Sequence, residues 1–274
     1  MGKVFVIDVA RCNGCHVCQV VCKDEHVAND WTPIAKPQPE TGQFWVELTE
    51  RVRGTVPKVK VAYRPHLCMH CGNAPCMQAC SVQGALYRRD DGMVIVDPVK
   101  CTGCKNCVDA CPYDAIFFND GLNIAQKCTG CAHLLDDGWA EPRCADACPT
   151  LALRLLDEDA AETQRLIAEA QVWKPERKDE LRPRVYYLNL PKKFIAGTLY
   201  DPAEEEVVIG AACTLTSAGG ETWTAETDSY GDFWFEGLDD SVYALELSHG
   251  GRVVSFSGLD AGAADINLGD IPLG

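Results

Sequence analysis

Sixteen of the seventeen cysteines in this 274-residue chain fall into four groups of four. Cys12, Cys15, Cys18 and Cys22 are spaced C-x2-C-x2-C-x3-C, and Cys101, Cys104, Cys107 and Cys111 repeat that spacing. Cys68, Cys71, Cys76 and Cys80 differ only in a longer middle gap, C-x2-C-x4-C-x3-C. In the last group, Cys128, Cys131, Cys144 and Cys148, twelve residues separate the two halves. A C-x2-C-x2-C loop wraps a compact body and presents three thiolates to it, with backbone N–H groups directed at its sulfides. The cysteine three residues on lies one helical turn away, points elsewhere and serves a second cluster, as in bacterial ferredoxin runs. The pattern therefore predicts iron as the metal and four [4Fe–4S] clusters as the cofactors. Two C-x2-C pairs would satisfy one tetrahedral zinc, but zinc leaves the third cysteine and the x3 cysteine unexplained. Disulfide frameworks belong to short secreted chains.

The elements around these groups repeat as well. Strand-like stretches, Val4 to Val9, Val59 to Tyr63 and Val94 to Val96, precede three of them. Small apolar segments follow the later ones: Ala85-Leu86-Tyr87, Ala115 to Phe118 and Leu151-Ala152-Leu153. Strand, cysteine loop, short helix and strand make one ferredoxin-type unit. Four units make two modules. Pro112 and Pro149, which follow Cys111 and Cys148, turn the chain away from regular helix.

Beyond Cys148, Asp159 and Glu162 read as a capping box for a helix carrying Leu166, Ile167, Ala170 and Trp173 on one face. Lys174 to Pro191 is rich in charge and proline and reads as an extended strap. From Phe194 the period becomes two, with turn signals at Ala218-Gly219-Gly220, Ser229-Tyr230-Gly231 and His249-Gly250-Gly251. That pattern predicts an antiparallel β-sandwich of about seven strands. Cys213 shares the parity of Leu215 and is expected in its core, not on a metal. His16 and His70 lie inside cysteine loops, where they tune or solvate a cluster. His26, His66, His133 and His249 read as ordinary surface or hydrogen-bonded residues. Lys23, Lys100, Lys105 and Lys127 flank the groups and either offset cluster charge or remain solvated.

The net charge of −15 is uneven. Residues 191–274 hold three Lys/Arg against fifteen Asp/Glu, a net of −12, which leaves −3 for residues 1–190. The asymmetry marks a boundary near residue 190 and argues against a nucleic-acid partner. The opening residues show no h-region and no apolar run is long enough to span a membrane. A cytoplasmic location is expected, with export alongside a signal-bearing partner as the alternative.

The four groups, the second with x4 and the fourth split, resemble the iron–sulfur, electron-transfer subunits of the dimethyl-sulfoxide-reductase superfamily of molybdopterin oxidoreductases. The Cys128-Thr129-Gly130-Cys131-Ala132-His133 loop, with Pro142 and Cys144 after it, carries the match across residues 1 to about 190. Within the superfamily, Val6-Ile7-Asp8-Val9-Ala10-Arg11-Cys12, Asp24-Glu25-His26, Ala132 to Asp137 and Pro183 to Tyr187 look like the small subunits of pyrogallol–phloroglucinol transhydroxylases. The C-terminal Ala196-Gly197, Gly210-Ala211, Thr227-Asp228 and Gly231-Asp232-Phe233 resemble transthyretin-like sandwiches.

The resemblance implies an α+β fold of two bacterial-ferredoxin-like modules, one inserted in the other, followed by a transthyretin/Ig-like sandwich. Residues 1–60 and 120–160 would form the first module and 61–119 the inserted one. A helix and strap, 161–192, would lead to the sandwich at 193–274. The implied cluster ligands are Cys12, Cys15, Cys18 and Cys148; Cys22, Cys128, Cys131 and Cys144; Cys68, Cys71, Cys76 and Cys111; and Cys101, Cys104, Cys107 and Cys80. It also implies a large catalytic subunit holding a molybdenum (or tungsten) bis-pterin cofactor, with a polyhydroxylated aromatic as substrate. The transhydroxylase pattern has a degraded third group; here it is complete, which suits net electron import or export in a hydroxylase or dehydroxylase. The alternatives are a respiratory subunit for arsenate, polysulfide or sulfoxide, a free polyferredoxin, or clusters that are only structural.

Overall fold

The computed structural model describes residues 2–274, Pro175 through its backbone alone; Met1 lies outside them. The chain divides into two compact units. The first comprises residues up to Glu50 and Ala62–Leu190, and the second Arg51–Val61 with Pro191–Gly274.

In the first unit, strand β1 (Lys3–Asp8) runs into helix α1 (Val17–Val27). The long arms β2 (Val46–Thr55) and β3 (Lys58–Leu67) form a hairpin whose tip belongs to the second unit. Short elements follow: α2 (Pro75–Ala79), β4 (Leu86–Arg88), β5 (Val94–Val96), α3 (Asn106–Asp109), β6 (Phe117–Asn119) and β7 (Ile124–Gln126). Then come α4 (Ala132–Asp136), α5 (Arg143–Asp146), β8 (Leu153–Asp157), α6 (Ala161–Glu169), α7 (Lys178–Leu181) and β9 (Val185–Leu188). The pairs β4–β5 and β6–β7 are isolated antiparallel ribbons.

β1 is the middle strand of a three-stranded sheet, antiparallel to β8 and parallel to β9. It reads as one apolar run because both of its faces are covered. Phe5 and Ile7 enter the core that holds most of the cysteines, while Val4 and Val6 meet Leu166 and Ile167 of α6. Two expectations are corrected here. The segment Lys174 to Pro191 is not simply a strap: it contributes α7 and β9. Val185 and Tyr187 of β9 are buried, and the Tyr187 hydroxyl donates to the Pro65 carbonyl at 3.1 Å. No capping box forms at α6, whose N-cap is Ala160 without a side-chain cap bond.

The second unit contains β10 (Lys193–Asp201), β11 (Glu206–Val207), β12 (Ala212–Ser217) and β13 (Thr222–Glu226). It continues with β14 (Asp232–Leu238), β15 (Val242–His249), β16 (Arg252–Asp260) and β17 (Ile266–Pro272). One sheet has the order β11-β10-β14 with β17 also on β10; the other is β13-β12-β15-β16. Alternate residues of both sheets share one core, including Ile195, Leu215, Phe233, Phe235, Leu245 and Cys213. The pairing is not wholly antiparallel, since β17 lies parallel to β10. The hairpin tip packs within this unit. Lys58 pairs with Asp232, Lys60 with Glu236 at 2.7 Å and Arg53 with Asp265 at 3.3 Å.

Candidate cluster-binding sites

The cysteine loops owe their curl to left-handed residues. In the first loop Gly14 has φ +75° and His16 φ +59°, and the first turn of α1 then presents Cys18. In the third loop Gly103 has φ +75° and Lys105 φ +64°, and α3 presents Cys107. A Cβ on Gly14 would lie 2.6 Å from the Tyr63 ring, and one on Gly103 2.5 Å from the Asn123 carbonyl oxygen. Both the conformation and the space call for glycine. Asn13 Oδ1 accepts from the Cys15 amide at 3.3 Å and tightens the first loop. Backbone amides also reach sulfur: His70 N donates to Cys68 Sγ at 3.5 Å and Gly130 N to Cys128 Sγ at 3.4 Å.

These loops bring all sixteen cysteines into four sets. Set I is Cys12, Cys15, Cys18 and Cys148, which line one hollow. Set III is Cys68, Cys71, Cys76 and Cys111, and set IV is Cys80, Cys101, Cys104 and Cys107, each around a hollow of its own. Set II is Cys22, Cys128, Cys131 and Cys144, all buried. Its grouping shows in mutual influence. Burial and then the charges of Cys128 and Cys131 push the Cys22 thiol well up, and burial followed by Cys131, Cys22 and Cys128 does the same to Cys144. The last cysteine of each run leaves the three that precede it or, in the fourth run, joins the first run. Among the described residues, no three of Cys, His, Asp and Glu stand close enough to hold a single metal ion.

The sets follow one another. Cys18 of set I acts on Cys22 and Cys144 of set II, Cys68 of set III on Cys128 of set II, and Cys107 of set IV on Cys76 of set III. The order is I, II, III, IV. Both ends reach solvent, through exposed Cys15 and Cys104.

Burial pushes the Cys18 and Cys107 thiols up to about 11 and the Cys71 and Cys131 thiols up to about 12. Left to themselves these groups are neutral and inert; a bound metal ion deprotonates a coordinating thiol outright. Cys148 shifts the other way: burial pushes it up, but the Leu153, Thr150 and Ala152 amides and the Thr150 hydroxyl outweigh that. Lys127 is buried, and its Nζ donates to the carbonyls of Val94 and Cys128. Burial raises Cys76, Cys111 and Cys128, neighbouring thiols add to the rise, and Lys127 opposes it. No carboxylate pairs with Lys127 among the described residues. A buried cation without a counter-ion is costly, so the residues fit anionic groups on either side of it, one in set II and one in set III. An iron–sulfur cluster with four thiolates supplies that charge, and its chemistry is to store and pass single electrons.

Of the histidines, His133 is hydrogen-bonded and His249 exposed as expected, whereas His26 lies buried against a cluster thiol. His26 is buried with its Nε2 4.0 Å from Cys131 Sγ and its ring 4.6 Å from Trp45. His133 stacks on Trp31 at 4.3 Å and meets Glu25 Oε1 at 3.1 Å, and Arg143 reaches Glu25 Oε2 at 3.3 Å. His70 accepts from the Val94 amide through Nδ1 at 3.0 Å. Spacing carried the signal for His26, which sits four residues after Cys22 on the buried face of α1. Lys23, Lys100 and Lys105 stay partly or largely exposed, so only Lys127 of the four is buried against the thiols.

Residues 59–158 match the family model described as a 4Fe–4S dicluster domain. Among curated relatives, the chain is similar to the pyrogallol hydroxytransferase small subunit of Pelobacter acidigallici, 40% identical over 92% of each chain. It is also similar to a putative dimethyl sulfoxide reductase iron–sulfur subunit of Halobacterium salinarum, 34% identical over 68% of this chain and 78% of that one. A tetrathionate reductase subunit of Salmonella typhimurium is 36% identical over 70% of this chain and 74% of its own length. No helix of the described residues is long and apolar enough to cross a membrane. Spacing, thiol sets and relatives agree: the chain belongs to the iron–sulfur, electron-transfer subunits of the dimethyl-sulfoxide-reductase superfamily of molybdopterin oxidoreductases.

Proposed function

We propose that this chain relays electrons through four [4Fe–4S] clusters, held by sets I to IV, to or from a large molybdopterin (or tungstopterin) catalytic subunit. The observation that carries this is the exchange of ligands: Cys111 and Cys80 lie with each other's loops, as do Cys22 and Cys148 with the fourth and first runs. That is the ligand exchange of ferredoxin-like modules, with residues 61–119 as a module inserted between 1–60 and 120–160. The fold reading is completed by a transthyretin/Ig-like sandwich at 193–274. The relay has exposed cysteines at its ends and buried ones in the middle, the arrangement a conductor with two external partners requires. A cluster with four cysteine ligands offers no coordination site to a substrate, so the chain alone transforms none.

The substrate handled by the complex is a polyhydroxylated aromatic. A match over 92% of the chain to a pyrogallol hydroxytransferase small subunit necessarily takes in most of the second unit, whereas the tetrathionate reductase match covers 70%. The complete third cysteine run favours net electron import or export, as in a hydroxylase or dehydroxylase. The location proposed is cytoplasmic. Purified anaerobically, the chain should carry about 16 iron and 16 acid-labile sulfides. A value near 12 would leave one set empty, and stoichiometric zinc would sink the reading.

A further inference from the structure

Burial is uneven along the relay. Seven of the eight cysteines of sets II and III are buried, against two of the eight in sets I and IV. Reduction adds negative charge to a cluster, and a site cut off from solvent disfavours added charge. Nearby charge and solvent exposure both set a cluster's potential. Burial alone would therefore make the two middle clusters harder to reduce than the two at the ends, an uphill step in the centre of the relay.

One side chain opposes this. Lys127 is only 2% exposed, and its Nζ is held by backbone from both middle sets. It donates at 3.0 Å to the carbonyl of Cys128, of set II, and also to that of Val94, which lines the set III hollow. The Val94 amide in turn donates to His70 Nδ1, inside the set III loop. The two carbonyls fix the ammonium between the sets, and its pull on the thiols falls on both sides, on Cys76 and Cys111 and on Cys128. The other cations beside the runs differ. Lys100 and Lys105 are more than half exposed, with Asp97 and Asp120 at 3.1 and 3.6 Å, so solvent and carboxylate screen them. Lys23 turns to the carbonyls of Pro39 and Gly42. Arg88 donates to the carbonyls of Cys71 and Gly72 and so attends set III only.

We propose that the buried ammonium of Lys127 serves sets II and III together, easing reduction of both middle clusters and removing the uphill step between the ends. This role rests on the four-cluster reading above. It is a positioning role, since Lys127 places a charge and supplies neither a ligand nor a proton.

The test is an anaerobic potentiometric titration of the iron-loaded full chain. Dithionite supplies one electron per cluster through mediators, and electron paramagnetic resonance follows each signal. Cys144→Ser and Cys111→Ser assign the signals of sets II and III. Lys127→Met should lower the reduction constants of both by about tenfold or more, and tenfold is about 59 mV for one electron. A unit charge about 10 Å away has an effect of that order at an effective dielectric of about 20. The signals of sets I and IV should stay where they are. Lys127→Gln loses the charge but can still donate to one carbonyl; it should behave as Lys127→Met does, and it serves where the methionine variant does not fold. Lys127→Arg keeps the charge and should keep both potentials. Unmoved potentials in the neutral variants, a fall in only one of sets II and III, an equal fall in all four, or the same fall in Lys127→Arg would overturn the proposal. Iron content and the number of signals test the four-cluster reading before any potential is measured, so the two can fail separately.

Discussion

The two units are organised by different forces. In the first, β4, β5, β6 and β7 have three residues each and form two isolated ribbons. Such ribbons are marginal in water. Loops with left-handed residues and thiols displaced toward the neutral form do not stabilise themselves. In the second unit β10, β14, β15 and β16 run seven to nine residues, and two sheets close on a continuous apolar core. Residues 191–274 carry −12, which Arg51, Arg53, Lys58 and Lys60 of the hairpin tip bring to −8 for the unit, and its lone cysteine is a packing residue. The first unit sets its cysteines within an apolar core and depends on metal for its loops, whereas burial of apolar area alone holds the second.

The largest effect that could break this contrast is removal of iron. Chelation under oxidising conditions should expose the cysteine loops and the short ribbons to hydrogen exchange, while β12 and β15 stay protected. Equal loss in both units would refute the distinction. A sharper cut is Cys111→Ser, which should abolish the spectroscopic signal of the cluster at Cys68, Cys71 and Cys76. Loss of the Cys101, Cys104 and Cys107 cluster instead would contradict the ligand exchange. In the second unit Phe235→Ala removes a buried ring from the shared core and should cost about 3–5 kcal/mol. Thermal melting should show that loss with the iron content intact, and iron loss would count against independence.

The smallest effect concerns a surface pair. Arg89 grips Asp136 with two hydrogen bonds, of 2.9 and 2.6 Å, and this holds the Asp136 carboxyl below its usual 3.8. A depressed carboxylate contributes stability above its unfolded value and loses it as the pH falls through its folded value. With half the Asp136 side chain exposed, Asp136→Asn should lower stability by about 1 kcal/mol or less at pH 7. Once the pH has fallen below the folded value of Asp136 the variant and the wild type should melt together. A gap that persists in acid would assign the effect to something other than this pair.

What could be read from sequence was local. The cysteine spacings, the glycines of their loops and the period-two strands of the second unit depend on residues within a few positions of each other. The parity of Cys213 with Leu215 was enough to bury it. What could not be read depends on distant partners. β9 is an apolar Val-Tyr-Tyr-Leu set in a charged, proline-rich segment, and becomes a strand only because Phe5 to Asp8 offer it an edge about 180 residues away. The parallel seating of β17 on β10 is another such case, and so is the hairpin tip, where Lys58 is buried against Asp232. Lys127 and Lys100 each precede the same Cys-Thr-Gly-Cys loop, yet only Lys127 is buried, with its Nζ on the carbonyl of Val94, more than 30 residues away. The Asp159 and Glu162 signal failed because the helix starts after Ala160.

The position of β1 at the centre of its sheet also sets a timetable. Cys12, Cys15 and Cys18 leave the ribosome well ahead of Cys148 and the flanking strands β8 and β9, which come more than 120 residues later. At roughly 5–20 residues per second, the earliest thiols wait several seconds or more for their partners. Sets III and IV, confined to Cys68 through Cys111, can close first. Cluster loading in the cell should therefore run from the middle of the chain outward. The first cysteine run has to be kept reduced until its last ligand is made.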